Sequence, residues 1–398
     1  MIALYLAPLY LLLCGYILWR MLHWLAACHD VTKNFFLRGL LVTVYVFLAL
    51  SLLFGFLVPP SMLQRVLKGI GNYWLGVLLY ILLTILVADL IRLILKHVSF
   101  PKKERLFSRK GHVIVGSICL AVILAFSAAG IYGARHIVTT DYQVKISKKA
   151  GNRKELNLVL VADFHLGYSI GSSHMQRMVE KINASKPDLV VIAGDIFDNE
   201  YEALDNPERL EKILRSIKSR YGVYACYGNH DIQEKILAGF TFPRKGKKMS
   251  DPRMDTFLEK SNIHLLRDEA VEIDNAFYLF GRADYERPGR GIRKRKLPKE
   301  LVKEMDQKKP ILVVDHEPRE LKELADAGVD LDLCGHTHNG QTFPGNFTIK
   351  LMWENPCGLL SKDNMTNITT SGAGVWGPAM RIGTDSEICS INIQLKKA

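Results

Sequence analysis

Four long apolar stretches fill the first third of this 398-residue sequence: Ile2 to about Trp19, Leu40 to Val58, about Ile70 to Ala88, and Val113 to about Tyr132. Each approaches the roughly 20 residues that a helix needs to cross a bilayer. Helices buried in a water-soluble core are seldom so long and so free of charge, so the stretches predict four spanning helices. Pro59-Pro60 closes the second, as expected where a helix must stop. The net charge of +12 follows in part, because membrane proteins carry additional Lys and Arg in their loops. A basic balance also suits anionic lipid surfaces or anionic substrates. No nucleic-acid partner is expected.

The basic residues set an orientation. Arg92, Lys96, Lys102, Lys103, Arg105, Arg109 and Lys110 separate the third and fourth stretches; Arg20, Lys33 and Arg38 separate the first two; only Arg65 and Lys68 lie between the second and third. Positive loops stay in the cytoplasm. The N-terminus and everything after the fourth helix are therefore expected outside a multi-pass plasma (inner) membrane. The first stretch lacks a basic leader and is followed by three more spans, which argues against cleavage. Asp89 lies one turn from Arg92 and is expected to pair with it. No other paired intramembrane charge, and no broken helix, is read that would indicate a transporter.

Residues 1–137 are thus expected to form a four-helix transmembrane domain and residues 138–398 a separate globular domain. The second part carries no spanning stretch and is about the size of one large domain. Strand-like and helix-like segments alternate in it, which predicts an α/β layered fold. The expected strands are Leu156 to Ala162, Asp188 to Ala193, Val223 to Cys226, Ile311 to Val314 and Leu331 to Cys334. The expected helices are Ser173 to Ala184, Pro207 to Ser219, Met254 to Ser261 and Glu317 to Ala325. The tail from Asn367 reads as antiparallel strands with Gly-rich turns.

Each of those strands runs into residues suited to holding a metal. The sequence reads Asp163-Phe164-His165, then Gly194-Asp195-Ile196-Phe197-Asp198, then Gly228-Asn229-His230-Asp231, then His316, then Gly335-His336-Thr337-His338-Asn339-Gly340-Gln341. In open α/β sheets, ligands bind beyond the carboxyl ends of the strands, so these side chains are expected at one edge. Carboxylate, amide and imidazole without thiolate suit Mn, Fe, Zn or Mg rather than a structural zinc–thiolate site.

Five motifs in this order, over about Leu156 to Gln341, resemble the calcineurin-like metallophosphoesterases. The Gly335–Gln341 ending, the later Ser371-Gly372-Ala373-Gly374-Val375-Trp376-Gly377-Pro378 and the preceding helices are similar to a membrane-associated bacterial phosphodiesterase branch, some of whose members act on nucleotide-linked lipid precursors. The resemblance implies a four-layer αββα sandwich with two divalent metal ions. Asp163, His165 and His338 would hold one, Asn229, His316 and His336 the other, and Asp195 would bridge them. His230 would face the substrate as acid or phosphate-binding cation. The implied activity is hydrolysis of phosphodiester or pyrophosphate bonds, on a lipid or nucleotide-lipid, by attack of a metal-activated hydroxide. Nucleotide-linked precursors are usually cytoplasmic, which conflicts with the outward orientation. A membrane receptor or scaffold that binds metal without hydrolysis is the alternative; loss of a ligand or of His230 would favour it, and all are present.

Asp198 and Asp231 are read as outer carboxylates that orient the histidines. His174 is read as an exposed helix residue and His264 as structural. Two basic runs, Arg244 to Lys248 and Arg287 through Arg290 to Lys296, are read as solvated loops, with contact to anionic headgroups as the competing function. Of the seven cysteines, only Cys357 and Cys389 stay open to disulfide formation.

Overall fold

A computed structural model describes residues 2–237, 240–242 and 251–396. The chain divides into two compact units, one up to Ile131 joined by residues 236–237, 240–242 and 377–380, the other comprising 132–235, 251–376 and the chain from Arg381.

The first unit holds helices α1 (Ile2–Cys28), α2 (Phe35–Leu57), α3 (Met62–His97), the short α4 (Lys103–Phe107) and α5 (Arg109–Arg135). Four of them are long and apolar enough to cross a membrane. All four run past the apolar stretches, because the flanking polar residues are themselves adequate helix formers. With 36 residues, α3 spans about 54 Å, well beyond a hydrocarbon core of about 30 Å. Capping fixes the starts: Asn34 accepts from the Phe36 and Leu37 amides, and Ser61 accepts from that of Gln64. Leu12, Phe36 and Leu86 face outward while Cys14, Tyr45 and Trp74 are buried. Apolar side chains outside and a small aromatic core inside match a lipid surround. Asp89 does not pair with Arg92. Both its oxygens accept from Arg20 of α1, at 2.7 and 2.6 Å. Packing of α1 on α3 supplies a partner that spacing within one helix cannot reveal.

The second unit starts with β1 (Ile137–Ile146), β2 (Glu155–Val161), α6 (Ser172–Ala184), β3 (Leu189–Ala193), α7 (Pro207–Arg215) and β4 (Val223–Cys226). In chain order a two-stranded ribbon comes next, β5 (Lys235–Leu237) and β6 (Phe240–Phe242), whose residues 236–237 and 240–242 belong to the first unit, and the second unit resumes with α8 (Pro252–Lys260), β7 (Ile263–Leu265), β8 (Glu269–Ile273) and β9 (Phe277–Gly281). The chain closes with α9 (Pro298–Leu301), β10 (Ile311–Val314), α10 (Leu321–Asp326), β11 (Leu331–Cys334), α11 (Gly345–Thr348), β12 (Gly358–Lys362), β13 (Met365–Thr369) and β14 (Ser386–Leu395).

Two six-stranded sheets result, in the orders β1-β14-β2-β3-β4-β7 and β12-β13-β11-β10-β9-β8. In the first, β2, β3 and β4 are parallel, with Leu158 opposite Leu189 and Ala193 opposite Cys226. In the second, β10 and β11 are parallel, with Val314 opposite Leu333. Strands covered on both faces read as nearly continuous apolar runs, and every residue of β3, β10 and β11 is buried, including Asp332 of β11, which accepts from the Asn367 side-chain amide. Leu160, Val191, Leu312 and Leu333 pack together between the sheets. Val159, Val190 and Ile192 pack on α6, α7 and α8 through Met178, Leu214 and Phe257. On the far side Val313 and Ile311 pack against Leu301 of α9 and Leu324 of α10. The architecture is the expected four-layer αββα sandwich. Each fully buried Val, Leu or Ile side chain contributes about 1.5–3 kcal/mol of burial.

The helix expected from Glu317 starts only at Leu321. Pro318 disfavours helical backbone before it, and Glu320 takes a left-handed φ of 57°. The tail is less simple than a run of antiparallel strands: β13 pairs antiparallel with β12 but parallel with β11, and β14 joins the other sheet. All seven cysteines are free thiols, including Cys357 and Cys389. The basic run Arg244 to Lys248 lies outside the described residues. The second run is not a solvated loop throughout. Arg295 is buried, 3.0 Å from Asp315 and 2.6 Å from Glu320. Arg290 lies over the Tyr227 ring, and Arg287 pairs with Glu234. Arg293, Lys294 and Lys296 stay exposed. Charge counting along the chain cannot separate a guanidinium that has found a buried carboxylate from its solvated neighbours.

Candidate metal centre

Parallel strands end at a common edge, so the residues just past β2, β3 and β4 meet one another, and those past β10 and β11 do likewise. The backbone turns sharply there. Asp163, His165, Asp195, His336 and His338 all have positive φ, between 46° and 71°. Side-chain-bearing residues seldom adopt this conformation, Asp, Asn and His most readily, and each instance costs on the order of 1–3 kcal/mol. The strain turns these side chains into the cleft. Gly194, at φ 77°, serves the same approach: a Cβ there would lie 2.5 Å from His316 Nδ1. Without it, His316 comes within 2.9 Å of the Ala193 carbonyl, joining the edges of the two sheets.

Two clusters form. Potential ligand atoms of Asp163, His165 and His338 lie within 4.8 Å of one another, as do those of Asp195, His316 and His336. Asn229 joins the second cluster, its Oδ1 3.0 Å from His316 Nε2 and 3.1 Å from His336 Nδ1. One oxygen stands between the clusters: Asp195 Oδ2 is 3.2 Å from His316 Nε2 and 3.6 Å from His165 Nε2. His165 and His338 face each other through their Nε2 atoms at 3.0 Å. The structure thus brings all seven expected ligands together. The donor set, two imidazoles with an amide and a carboxylate on one side and two imidazoles with two carboxylates on the other, fits a pair of divalent cations.

Charge is organised around Asp195. Burial pushes its carboxyl up, but His316, His230 and His165 outweigh burial and hold it well below the usual range. Burial alone would lower His316, yet Asp195 and Asp163 carry it well above the ordinary value. Burial raises Asp163 to about 6 despite His316.

His230 lies beside the first cluster, its ring centroid 5.0 Å from that of His165. Its backbone amide donates to Asp195 Oδ1 at 2.8 Å. Burial lowers its pKa to about 4, so at neutral pH the ring is uncharged. Its Nδ1 contacts Asn199 Oδ1, and Asn199 donates its own amide hydrogens to the Ile232 carbonyl at 3.0 Å. An amide oxygen can only accept, so Nδ1 carries the hydrogen and Nε2 is left open.

The two outer carboxylates do different work. Asp198 Oδ1 lies 3.6 Å from His165 Nδ1, close enough for charge attraction but beyond hydrogen-bond reach. Asp231 orients no histidine. It accepts from the Phe197 amide at 2.8 Å and the Gly228 amide at 2.7 Å, tying together the loops after β3 and β4. His174 is buried rather than exposed, its Nε2 donating to the Ala373 carbonyl at 2.7 Å. His264 sits on β7, exposed and beside Tyr224.

Sequence reasoning missed Arg381, which is buried and donates to the carbonyls of Ser371 at 2.6 Å and Gly374 at 2.9 Å, and lies 3.1 Å from His338 Nδ1. A guanidinium only donates, so His338 presents Nδ1 as an acceptor there and its Nε2 hydrogen points at His165. A cation between these rings would displace that hydrogen. Nothing local marks Arg381; the Ser371–Pro378 motif just before it was the available signal. In that motif Gly372, at φ 82°, passes so close to Asp163 that a Cβ would lie 2.7 Å from it. Trp353, also missed, sets its ring 5.1 Å from that of His336.

The family model for calcineurin-like phosphoesterases matches residues 156–340. An uncharacterized metallophosphoesterase of Campylobacter jejuni is 30% identical over 62% of this chain and 61% of its own length. A transmembrane protein with metallophosphoesterase domain from Danio rerio is 32% identical over 70% of this chain and 62% of its own. The UDP-2,3-diacylglucosamine pyrophosphatase LpxG of Chlamydia trachomatis is 25% identical over 69% of this chain and 94% of its own. The chain spans 60–62% of the length of the first relatives it matches.

Proposed function

With residues 156–340 belonging to the calcineurin-like phosphoesterase family, we propose that this chain is a membrane-anchored, metal-dependent hydrolase of phosphodiester or pyrophosphate bonds. The observation that carries this reading is the single Asp195 oxygen between two clusters of nitrogen and oxygen donors. In the proposed roles, Asp163, His165 and His338 hold one cation; Asn229, His316 and His336 hold the other; Asp195 touches both. Two bound divalent cations would supply the positive charge that clamps a phosphoryl group and acidifies a water. The protein's own part is to bury and aim these groups, and to present His230. That ring is neutral in the cleft, and an anionic substrate offsets its burial and favours the protonated form. His230 then holds a proton for the departing oxygen.

We further propose a lipid-linked substrate. Support comes from the name of the Chlamydia relative and from the segment after the Gly335–Gln341 motif. There Phe347, Leu351 and Met352 are 60%, 88% and 73% exposed, next to Trp353 at the cleft. Contiguous exposed apolar side chains at a site rim suit an acyl chain or a bilayer surface. The basic connections between the spans favour a catalytic unit outside the cytoplasm. Labelling of the exposed Cys28 by an impermeant maleimide on intact cells would reverse that orientation.

The test is to strip the full-length protein of metal, reload it with Mn, Zn or Mg, and screen mono- and diesters beside the Asp195→Asn and His230→Ala variants. Variants as fast as the parent would show that the wrong site has been assigned. The lipid reading is tested separately. Leu351→Glu with Met352→Glu should slow hydrolysis of a vesicle-borne lipid pyrophosphate while sparing a soluble ester; equal rates on the vesicle substrate would sink it.

A further inference from the structure

The helical unit contains a cavity of about 440 Å³, within the range of about 300–1,000 Å³ typical of ligand pockets. Its wall is almost wholly apolar, with Trp24 of α1, Ile85 of α3 and Cys119 of α5 among its residues. Its polar residues are few: Arg20, Asp89, Arg92 and His112. They come from the C-terminal portions of α1 and α3 and the N-terminal turn of α5. The polar groups therefore gather at the end of the bundle that also carries the basic connection Lys102 to Lys110.

Those groups do not cancel. Arg20 is committed to Asp89, donating to both its oxygens and to Tyr16 Oη at 2.8 Å. That pair is neutral as a unit. Arg92 remains, its guanidinium 5.9 Å over the Phe107 ring, and it leaves the polar end with net positive charge. An apolar trough closed at one end by a cation complements an amphiphile with an anionic head. The side chains around it on α3 are themselves exposed and apolar, with Leu90 and Ile91 56% and 50% exposed, so the trough lies within reach of surrounding lipid.

We propose that this cavity binds one phospholipid with an anionic headgroup, its acyl chain along the apolar wall and its phosphate at Arg92, with His112 beside it. Arg92 suits the position because its stem covers apolar surface while its head reaches phosphate. The Arg20–Asp89 pair holds α1 against α3 and so keeps the trough open. The site draws on none of the residues of the metal centre, and it stands or falls apart from the proposed hydrolase activity.

The experiment uses the full-length protein in detergent micelles, with retained lipid counted by native mass spectrometry. Phosphatidylglycerol, phosphatidylcholine and inorganic phosphate are supplied in parallel. Phosphatidylglycerol should be retained about 10-fold more strongly than phosphatidylcholine, the size expected of one charge-assisted contact. Arg92→Gln should abolish that preference and leave soluble-ester hydrolysis unchanged, whereas Arg92→Lys should keep most of it. Cys119→Phe, which fills the trough, should reduce retention of the lipid itself. Equal retention of the two lipids by the parent would overturn the proposal, as would a preference that survives Arg92→Gln. Displacement of phosphatidylglycerol by inorganic phosphate at matched concentration would also overturn it, since the ligand would then be a free anion.

Discussion

The two units handle charge in opposite ways. In the helical unit Asp89 meets one guanidinium, and the account is closed by a pair 2.6 Å apart. In the sandwich, Asp163, His165, Asp195, His316 and His338 are all buried around a common point, with nitrogens and oxygens 3.0–3.6 Å apart. A lone ion pair in apolar surroundings holds two helices together. A convergence of donors with more lone pairs than hydrogens is built to receive something. The geometry of the elements decides which arises: helices side by side present single residues to each other, whereas parallel strands end together and deliver a residue each.

The comparison can be broken most directly at Asp195. Asp195→Asn should lower turnover about 10³-fold, equivalent to about 4 kcal/mol, and should reduce the metal bound per chain measured by mass spectrometry. Full activity with full metal content would make the sandwich cluster another structural charge network.

A second expectation concerns stability. Burial holds His174 at about 4, below its ordinary 6.5. Below pH 6.5 the unfolded chain takes up a proton that the folded chain refuses. The stability that His174 contributes is therefore complete above pH 6.5 and is lost as pH falls from 6.5 through about 4. The loss reaches about 3 kcal/mol at most. Denaturant unfolding across this window should show a shallower fall for His174→Gln than for the parent; identical slopes would remove His174 from the account.

Third, His230→Ala should cost about 10²-fold for a substrate with a poorly acidic leaving group and distinctly less for a nitrophenyl ester, whose departing oxygen needs no proton. A uniform loss on both would make His230 a phosphate-binding group instead of a proton donor.

The smallest effect is expected in the helical unit. Arg20→Gln should lower stability by about 1 kcal/mol in detergent-based thermal unfolding, the scale of interhelical polar contacts in membranes, with unchanged hydrolysis of a soluble ester. A collapse of activity would show that the two units are not as independent in their use of charge as their interiors suggest.

Much was legible beforehand. Apolar runs of bilayer length can be satisfied in few ways, so the spans could be placed, although their ends ran further than the apolar residues did. The strand-end residues could be named because each follows a short apolar strand, and strand ends converge by topology; the choice of seven of them as ligands rested on the resemblance to the calcineurin-like metallophosphoesterases. What the sequence could not carry was partnership across the fold. Asp89 reads as Arg92's neighbour along one helix, yet it binds Arg20. Asp231 reads as a histidine orienter, yet its oxygens are taken by the amides of Phe197 and Gly228. Asn199 and Arg381 carry no signature of their own, but they set the hydrogen positions of His230 and His338.

The sequence by itself determined which residues this protein has to use: four spans, two interiors, and a set of carboxylates, amide and imidazoles at strand ends. Only the tertiary structure decided which atoms face which, because hydrogen bonds and ion pairs act over about 3 Å. Residues more than a hundred positions apart come within that distance only once both sheets have packed.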